Sequence, residues 1–187
     1  MIDLTCALFI SIPLLLLLAA LSFLPSYLAR QNQKTFDVLI RSQELTRAQL
    51  ENDRKKEKEK TMTGIKLQAY ERMTLFLERI NLSNLLTRVR VPGQKSGDLH
   101  AKLLRSIREE YEHNMSQQLY ISDRAWEMIK AAKEDIIRTV NMAAAKVKQD
   151  DDAAMLAKEL LTAELESGSN PVDKALAGLK KDMKDTF

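Results

Sequence analysis

Residues 62–80 read MTGIKLQAYERMTLFLERI, and this stretch determines how the rest of the chain is interpreted. Apolar side chains recur along it at steps of three and four residues, at Met62, Ile65, Ala69, Met73, Phe76 and Ile80. This spacing is typical of one face of an α-helix, which Leu67, Tyr70 and Leu77 widen. An apolar face this broad must pack against another element. We therefore predict that residues 62–80 form one helix of a bundle.

Downstream, the same pattern returns in two longer helices. In the first, apolar residues recur every four positions, at Leu99, Leu103, Ile107, Tyr111 and Met115. Ser122 is a favourable N-cap for the second, which we expect to end near Lys148 and to place Trp126 at the centre of the core. Two such helices joined by a short turn form an antiparallel hairpin. With residues 62–89 in its groove, the hairpin gives a three-helix bundle over residues 62–149.

Residues 150–187 form an acidic C-terminal segment with 5 basic and 9 acidic side chains, a net charge of −4. Leucines at helical spacing predict two short helices, with Pro171 in the first turn of the second. Their apolar edges are narrow, so we expect them to be loosely attached or to dock only on a partner. We interpret Asp150-Asp151-Asp152 as a helix cap rather than as metal ligands, since Asp-rich metal loops usually contain spacing glycines.

Upstream, residues 30–61 lack a continuous apolar face. Phe36, Leu39, Ile40 and Leu50 are sparse, and residues 52–60 contain no apolar side chain. Glu and Lys alternate there at spacings that allow i,i+4 ion pairs, which favours a solvated helix. We interpret this segment as a charged helical stalk, with a partly disordered linker as the alternative.

Ahead of the stalk lies an uncharged stretch. No Asp, Glu, Lys or Arg occurs in the 26 residues from Leu4 to Ala29, and a membrane-spanning helix needs about 20 apolar residues. A cleaved signal peptide is the alternative, but it would have a basic start and a shorter apolar core. We therefore predict that residues 1–29 form one transmembrane anchor.

The charges that flank this anchor predict its orientation. Arg30 and Lys34 follow it closely, whereas only Asp3 and the amino terminus precede it. Lys and Arg next to a span tend to stay on the cytoplasmic side. We expect a single-pass protein of a bacterial inner (cytoplasmic) membrane, with its N-terminus outside and its body in the cytoplasm. Tyr27, Arg30 and Lys34 are the predicted membrane-interface residues.

Composition limits the classes of function. With 5 Gly, 4 Pro and 5% aromatic residues, the chain is typical of an all-α protein. Its one cysteine, Cys6, excludes an intrachain disulfide and a cysteine-built metal site. Residues 30–95 carry a net charge of +7 beside the predicted membrane. This favours the lipid bilayer, through its anionic headgroups, over nucleic acid as a partner.

Candidate chemical sites are few. Glu110 and His113 have the E-x-x-H spacing of di-iron helical bundles, but the second pair and the further carboxylates of such sites are missing. No phosphate-binding loop or nucleophile motif occurs, so we predict no catalytic residue, no metal, no cofactor and no enzyme activity. His113, Asn114, Gln117 and Gln118 are interpreted as a polar seam between helices, with an ordinary exposed helix end as the alternative.

Three segments resemble an uncharacterised bacterial family of single-pass membrane proteins with a helical cytoplasmic body. They are LQAYER at 67–72, FLER at 76–79 and QQLYIS at 117–122. The resemblance covers about residues 62–148 and the anchor. It implies the fold and the membrane placement, but no activity, cofactor or mapped site.

The sequence therefore predicts a membrane-tethered helical scaffold, in which coiled-coil or bundle helices bind a protein partner or a second copy. The alternative is an accessory or stalk subunit of a larger inner-membrane complex for secretion, transport or energy coupling. The acidic segment 150–187 motivates this alternative, because it would become ordered only within the complex.

Overall fold

The computed structural model describes residues 4–187, with side chains from residue 15 onward. This part of the chain is all-α, as predicted, and contains no strand beyond an isolated bridge between Lys95 and Asp152. Its elements are α1 (Leu4–Ile80), α2 (Leu82–Val89), α3 (Ser96–Asn114), a 3₁₀ helix (Met115–Leu119), α4 (Asp123–Ala144), α5 (Ala153–Glu166) and α6 (Pro171–Thr186). The chain divides into two compact units, Met1–Glu59 and Lys60–Phe187.

The first unit is the N-terminal part of α1. Every side chain from residue 15 to residue 59 is exposed. The segment predicted as a charged stalk is helical, so the alternative of a disordered linker is wrong. Within the described residues, none of the helices contains a stretch apolar and long enough to span a bilayer. The predicted anchor, residues 1–29, lies in part outside them, because the side chains of residues 1–14 are not described.

The second unit is a helical bundle with one apolar core. From α1 it takes Ala69, Met73, Phe76 and Ile80, which are at most 1% exposed, as the spacing of residues 62–80 predicts. Met62, by contrast, is 45% exposed. The predicted apolar face is therefore confirmed from Ala69 onward.

A short helix follows α1. Asn81 caps α2 by accepting a hydrogen bond from the Ser83 amide at 3.3 Å. Leu82, Leu85 and Leu86 of α2 are buried in the core. In the loop before α3, Gly93 has a φ of +74°, which favours glycine because a Cβ is strained there.

The α3–α4 hairpin is present, with Leu99, Leu103 and Ile107 buried on α3. Ser122 caps α4, as predicted, and its Oγ accepts from the Ala125 amide at 3.1 Å. The predicted stripe ends earlier than expected, since α3 stops at Asn114 and leaves Met115 46% exposed.

Two further expectations for this hairpin differ from the structure. α4 ends at Ala144 instead of near Lys148, and the chain then turns, with the Lys148 amide donating to Asp151 Oδ2 at 2.9 Å. Trp126 is 9% exposed while Phe76 is 1% exposed, so Trp126 lies at the edge of the core rather than at its centre.

The C-terminal helices are part of the bundle, so the prediction that they are loosely attached is wrong. α5 buries Ala153, Leu156, Ala157 and Leu160 at spacings of three and four residues. α6 does the same with Val172, Ala175, Leu176 and Leu179. The three-helix core predicted for residues 62–149 is therefore incomplete without residues 150–187. Alanines are three of the eight buried residues of these two helices, and their small side chains made the apolar faces look narrow in the sequence.

Asp150-Asp151-Asp152 joins α4 to α5 and pairs with the start of α3. The Ser96 amide donates to the Asp151 carbonyl at 2.8 Å, and the Ala153 amide donates to the Gln94 carbonyl at 2.9 Å. Asp152 caps α5 through its side chain, which accepts from the Ala154 amide at 2.7 Å. The interpretation of the acidic run as a helix cap is confirmed.

Candidate functional site

The four residues of the predicted polar seam do not form a seam. Asn114 is buried, but its amide donates to the Glu110 carbonyl of its own helix at 2.8 Å. Gln117 donates to its neighbour Ser116 at 3.3 Å, and His113 and Gln118 are exposed. The boundary between α3 and the 3₁₀ helix falls inside this set, so i,i+4 positions no longer share a face. The alternative, an ordinary helix end, describes three of the four residues.

Glu110 is the charged centre of the α1–α3 contact. Its Oε1 accepts from Arg79 Nε at 2.7 Å and lies 3.7 Å from Arg88 Nη2, so one carboxylate joins α1, α2 and α3. A neighbouring cleft is lined by α1 and α3 and includes Phe76 and His113. Glu110 is therefore paired with two arginines, and His113 lies in the same cleft. Among the described residues, no three His, Cys, Asp or Glu side chains are placed to hold a metal ion.

A hydrogen-bonded cluster around Asp182 fixes α6 to the bundle. Tyr70 donates its hydroxyl to Asp182 Oδ2 at 2.6 Å, and Ser122 donates to Oδ1 at 2.6 Å. Tyr70 is 2% exposed and also lies 3.1 Å from Thr186 Oγ1. Burial raises the pKa of Tyr70 above its ordinary value of 10.0, and the hydrogen bond to Asp182 acts in the same direction. One carboxylate thus connects α1, the cap of α4 and α6.

An aromatic stack accounts for Lys133, a charged residue on the apolar face of α4. Trp126 stacks on Tyr111 of α3 with ring centroids 5.6 Å apart. Lys133 is the one charged residue among the α4 positions spaced by three and four residues, which are Trp126, Ile129, Lys133, Ile136 and Val140. Its Nζ lies 4.0 Å from the centre of the Tyr111 ring. Such cation–π contacts are favourable where the cation is partly removed from water. Lys133 therefore packs on this face of α4 as its apolar neighbours do.

The predicted membrane-interface residues lie together on α1. Tyr27, Arg30 and Lys34 are spaced at i, i+3 and i+7, so they share one face, and all three are exposed. The Tyr27 hydroxyl accepts from Gln31 Nε2 at 3.3 Å. The structure is thus compatible with their joint use at one surface.

Two clefts in the bundle offer binding surfaces that sequence reasoning missed. One, of about 450 Å³, lies between α4 and the α5–α6 turn, and its lining includes Arg138, Glu164 and Lys174. The other, of about 610 Å³, lies between α2 and α5. Both need helix α5, which the sequence analysis had placed outside the bundle, so no signal in residues 62–149 could have located them.

Comparison with known proteins gives one result. A family of unknown function, DUF7935, matches residues 3–186 of the chain. The chain belongs to the DUF7935 family. No curated protein and no solved structure shows significant similarity to it.

Membership of DUF7935 confirms the resemblance to a family without known activity, and the match extends past the expected residue 148 to include α5 and α6. It thus agrees with the packing, in which both helices contribute to the core. The DUF7935 match carries no information about a membrane.

Proposed function

We propose that this DUF7935 protein is a membrane-tethered helical scaffold whose bundle binds a protein partner or a second copy. The observation that supports this proposal is the exposure of the apolar residues at the start of α1. Between Leu15 and Leu28 the large apolar side chains are 52% to 75% exposed. A continuous apolar surface of this kind is unfavourable in water and marks a site of contact with lipid or protein.

The sequence around this surface favours lipid over protein as its cover. The uncharged stretch Leu4–Ala29 has the length of a membrane span. The exposed Tyr27, Arg30 and Lys34 on one face of α1 suit a headgroup region, where a ring hydroxyl and cations can both reach water and phosphate.

A flotation experiment tests the tether. The full chain, mixed with vesicles that contain anionic lipid, is expected to float with them and to stay bound at high salt and alkaline pH. A Leu16→Arg/Leu17→Arg variant places two cations in the apolar stretch and is expected to stay at the bottom of the gradient. Leu45→Arg/Leu50→Arg, on exposed stalk residues, is the matched control and should float. A wild-type chain that does not float, or that leaves the vesicles at high salt, contradicts the proposal.

The alternative of a stalk subunit in a larger inner-membrane complex loses the feature that motivated it. Its argument was a C-terminal segment that would become ordered only on a partner, whereas α5 and α6 bury leucines in the core of the bundle. Stoichiometric companion proteins after purification in mild detergent would favour this alternative over an autonomous scaffold.

A further inference from the structure

The cleft between α2 and α5 is apolar with one cation at its edge. Leu86 and Ala157, each 6% exposed, form its floor, and Leu161 lies on its wall. Arg90 is the one charged residue among the described side chains that line it. Such a cleft suits an apolar ridge with an acidic residue beside it.

Helix α5 itself carries a ridge of this kind. Leu165 is 84% exposed, the highest value among the large apolar side chains of the described chain, and Leu161 is 42% exposed. Lys158, Leu161 and Leu165 share one face, because they are spaced at i, i+3 and i+7. Glu166 follows directly and is exposed. The ridge and the wall of the cleft therefore belong to the same helix.

Charge is distributed unevenly along this surface. The start of α5 lies beside the end of the α2–α3 loop, where the Ala153 amide donates to the Gln94 carbonyl at 2.9 Å. The end of α5 lies beside the start of α2, where Ser83 Oγ is 3.4 Å from Glu164 Oε2. The two helices are thus antiparallel, and Arg90 is next to the first half of α5. On the face around Leu161, Arg90 and Lys158 lie toward the start of α5, and Glu164 and Glu166 lie toward its end. Glu159 also belongs to the first half of α5, but it pairs with Lys146 at 3.5 Å.

We propose that the α2–α5 cleft binds α5 of a second copy of this chain, with the two α5 helices antiparallel about a two-fold axis near Leu161. In an isologous contact, the same surface patch of both copies forms the interface, so each contact between two different residues occurs twice. Positions equally far from Leu161 then face each other. The long Leu165 of one copy lies over the small Ala157 of the other. Lys158 meets Glu164, and Arg90 meets Glu166.

This inference deepens the proposed scaffold function by naming the partner, yet it depends on the bundle alone and not on the anchor. Opposite charges meet only in the antiparallel arrangement, since a parallel one brings the basic halves together. Charge complementarity and the fit of a large side chain on a small one thus select the same geometry.

The test is the mass of the full chain in mild detergent, measured by sedimentation at micromolar concentration. The wild type is expected to be a dimer. Leu165→Arg brings a cation next to Arg90 and Lys158 and should raise the dissociation constant about 30-fold or more, as loss of a central contact does. Leu67→Arg changes a 53% exposed leucine of α1 and is the matched control, which should remain dimeric.

A charge exchange gives an independent readout. Arg90→Glu and Glu166→Arg should each raise the dissociation constant about 5-fold, and the double variant should return it to within about twofold of wild type. A monomeric wild type, or a dimer that Leu165→Arg leaves unchanged, overturns the proposal. If Leu16→Arg/Leu17→Arg abolishes the dimer and Leu165→Arg does not, the chain associates through the apolar start of α1, and this result also overturns the proposal. Flotation of a monomeric chain would leave the tether intact, so the two proposals fail separately.

Discussion

Replacing Asp182 with Ala tests whether α6 is a built-in part of the bundle. The carboxylate accepts two short hydrogen bonds, from Tyr70 of α1 and from Ser122 at the cap of α4. Its loss leaves Ser122 with no acceptor for its hydroxyl hydrogen among the contacts observed. Tyr70 loses its charged partner and keeps the contact with Thr186, at 3.1 Å. The variant therefore removes the side chain that joins α1, the start of α4 and α6.

The expected cost follows from these two hydrogen bonds. A hydrogen bond to a charged group contributes about 1.5–3 kcal/mol to the free energy of unfolding. Asp182 is only partly buried, so water replaces part of each lost contact and the lower end of the range applies. We expect a decrease of about 3–4 kcal/mol in the free energy of unfolding for both bonds together.

Urea unfolding of the full chain in mild detergent, followed by the fluorescence of Trp126, measures this decrease. Asp185→Ala removes an exposed carboxylate from the same helix and is the control, with an expected change within about 0.5 kcal/mol. A double-mutant cycle with Tyr70→Phe should give a coupling of about 1 kcal/mol between the two residues. If Asp182→Ala unfolds at the same urea concentration as Asp185→Ala, the cluster does not hold α6 and the reasoning is refuted.

Three further predictions concern the same bundle. Leu179→Ala opens a cavity beneath α6 and should lower the free energy of unfolding by about 2–5 kcal/mol in urea, whereas a loss near zero would show that α6 is detached. Because folding raises the pKa of Tyr70, the unfolded chain loses the hydroxyl proton at a lower pH than the folded chain does. The free energy of unfolding should therefore fall as the pH rises above about 10. Thermal melts at increasing pH should show this fall, and Tyr70→Phe should flatten it. Gly93→Ala places a Cβ on a residue with positive φ and should lower the free energy of unfolding in urea by about 1–2 kcal/mol. An unchanged urea midpoint would contradict the loop geometry.

The periodic leucines and isoleucines made the helices predictable. Their spacing placed the α1 face and the α3–α4 hairpin correctly, because a helix repeats every 3.6 residues and large apolar side chains must be buried. Alanine carries no such signal. In α5 and α6, Ala153, Ala157 and Ala175 are at most 6% exposed. Alanine is also the strongest helix former and occurs at exposed helix positions, so these residues did not mark a buried face and the two helices looked peripheral.

The polar contacts between helices could not be predicted, because each joins residues far apart in sequence. Tyr70 and Asp182 stand 112 positions apart, and Arg79 and Glu110 stand 31 positions apart. The predicted seam at His113 failed for a local reason. Four polar residues at a helix end suggest a network only if the helix continues, and here it tightens into a 3₁₀ turn after Asn114.

The central proposal is that the apolar start of α1 tethers this chain to a membrane, with the bundle on the cytoplasmic side, as the flanking Arg30 and Lys34 predict. Cysteine labelling in bacterial cells tests it most directly, with Asp150→Cys as the one thiol in a Cys6→Ser background. Asp150 is exposed, so the new thiol reacts wherever reagent reaches it. We predict that the chain sediments with the membranes and that a membrane-impermeant maleimide labels it only after the cells are permeabilised. A chain in the soluble fraction, or labelling in intact cells, would contradict the account.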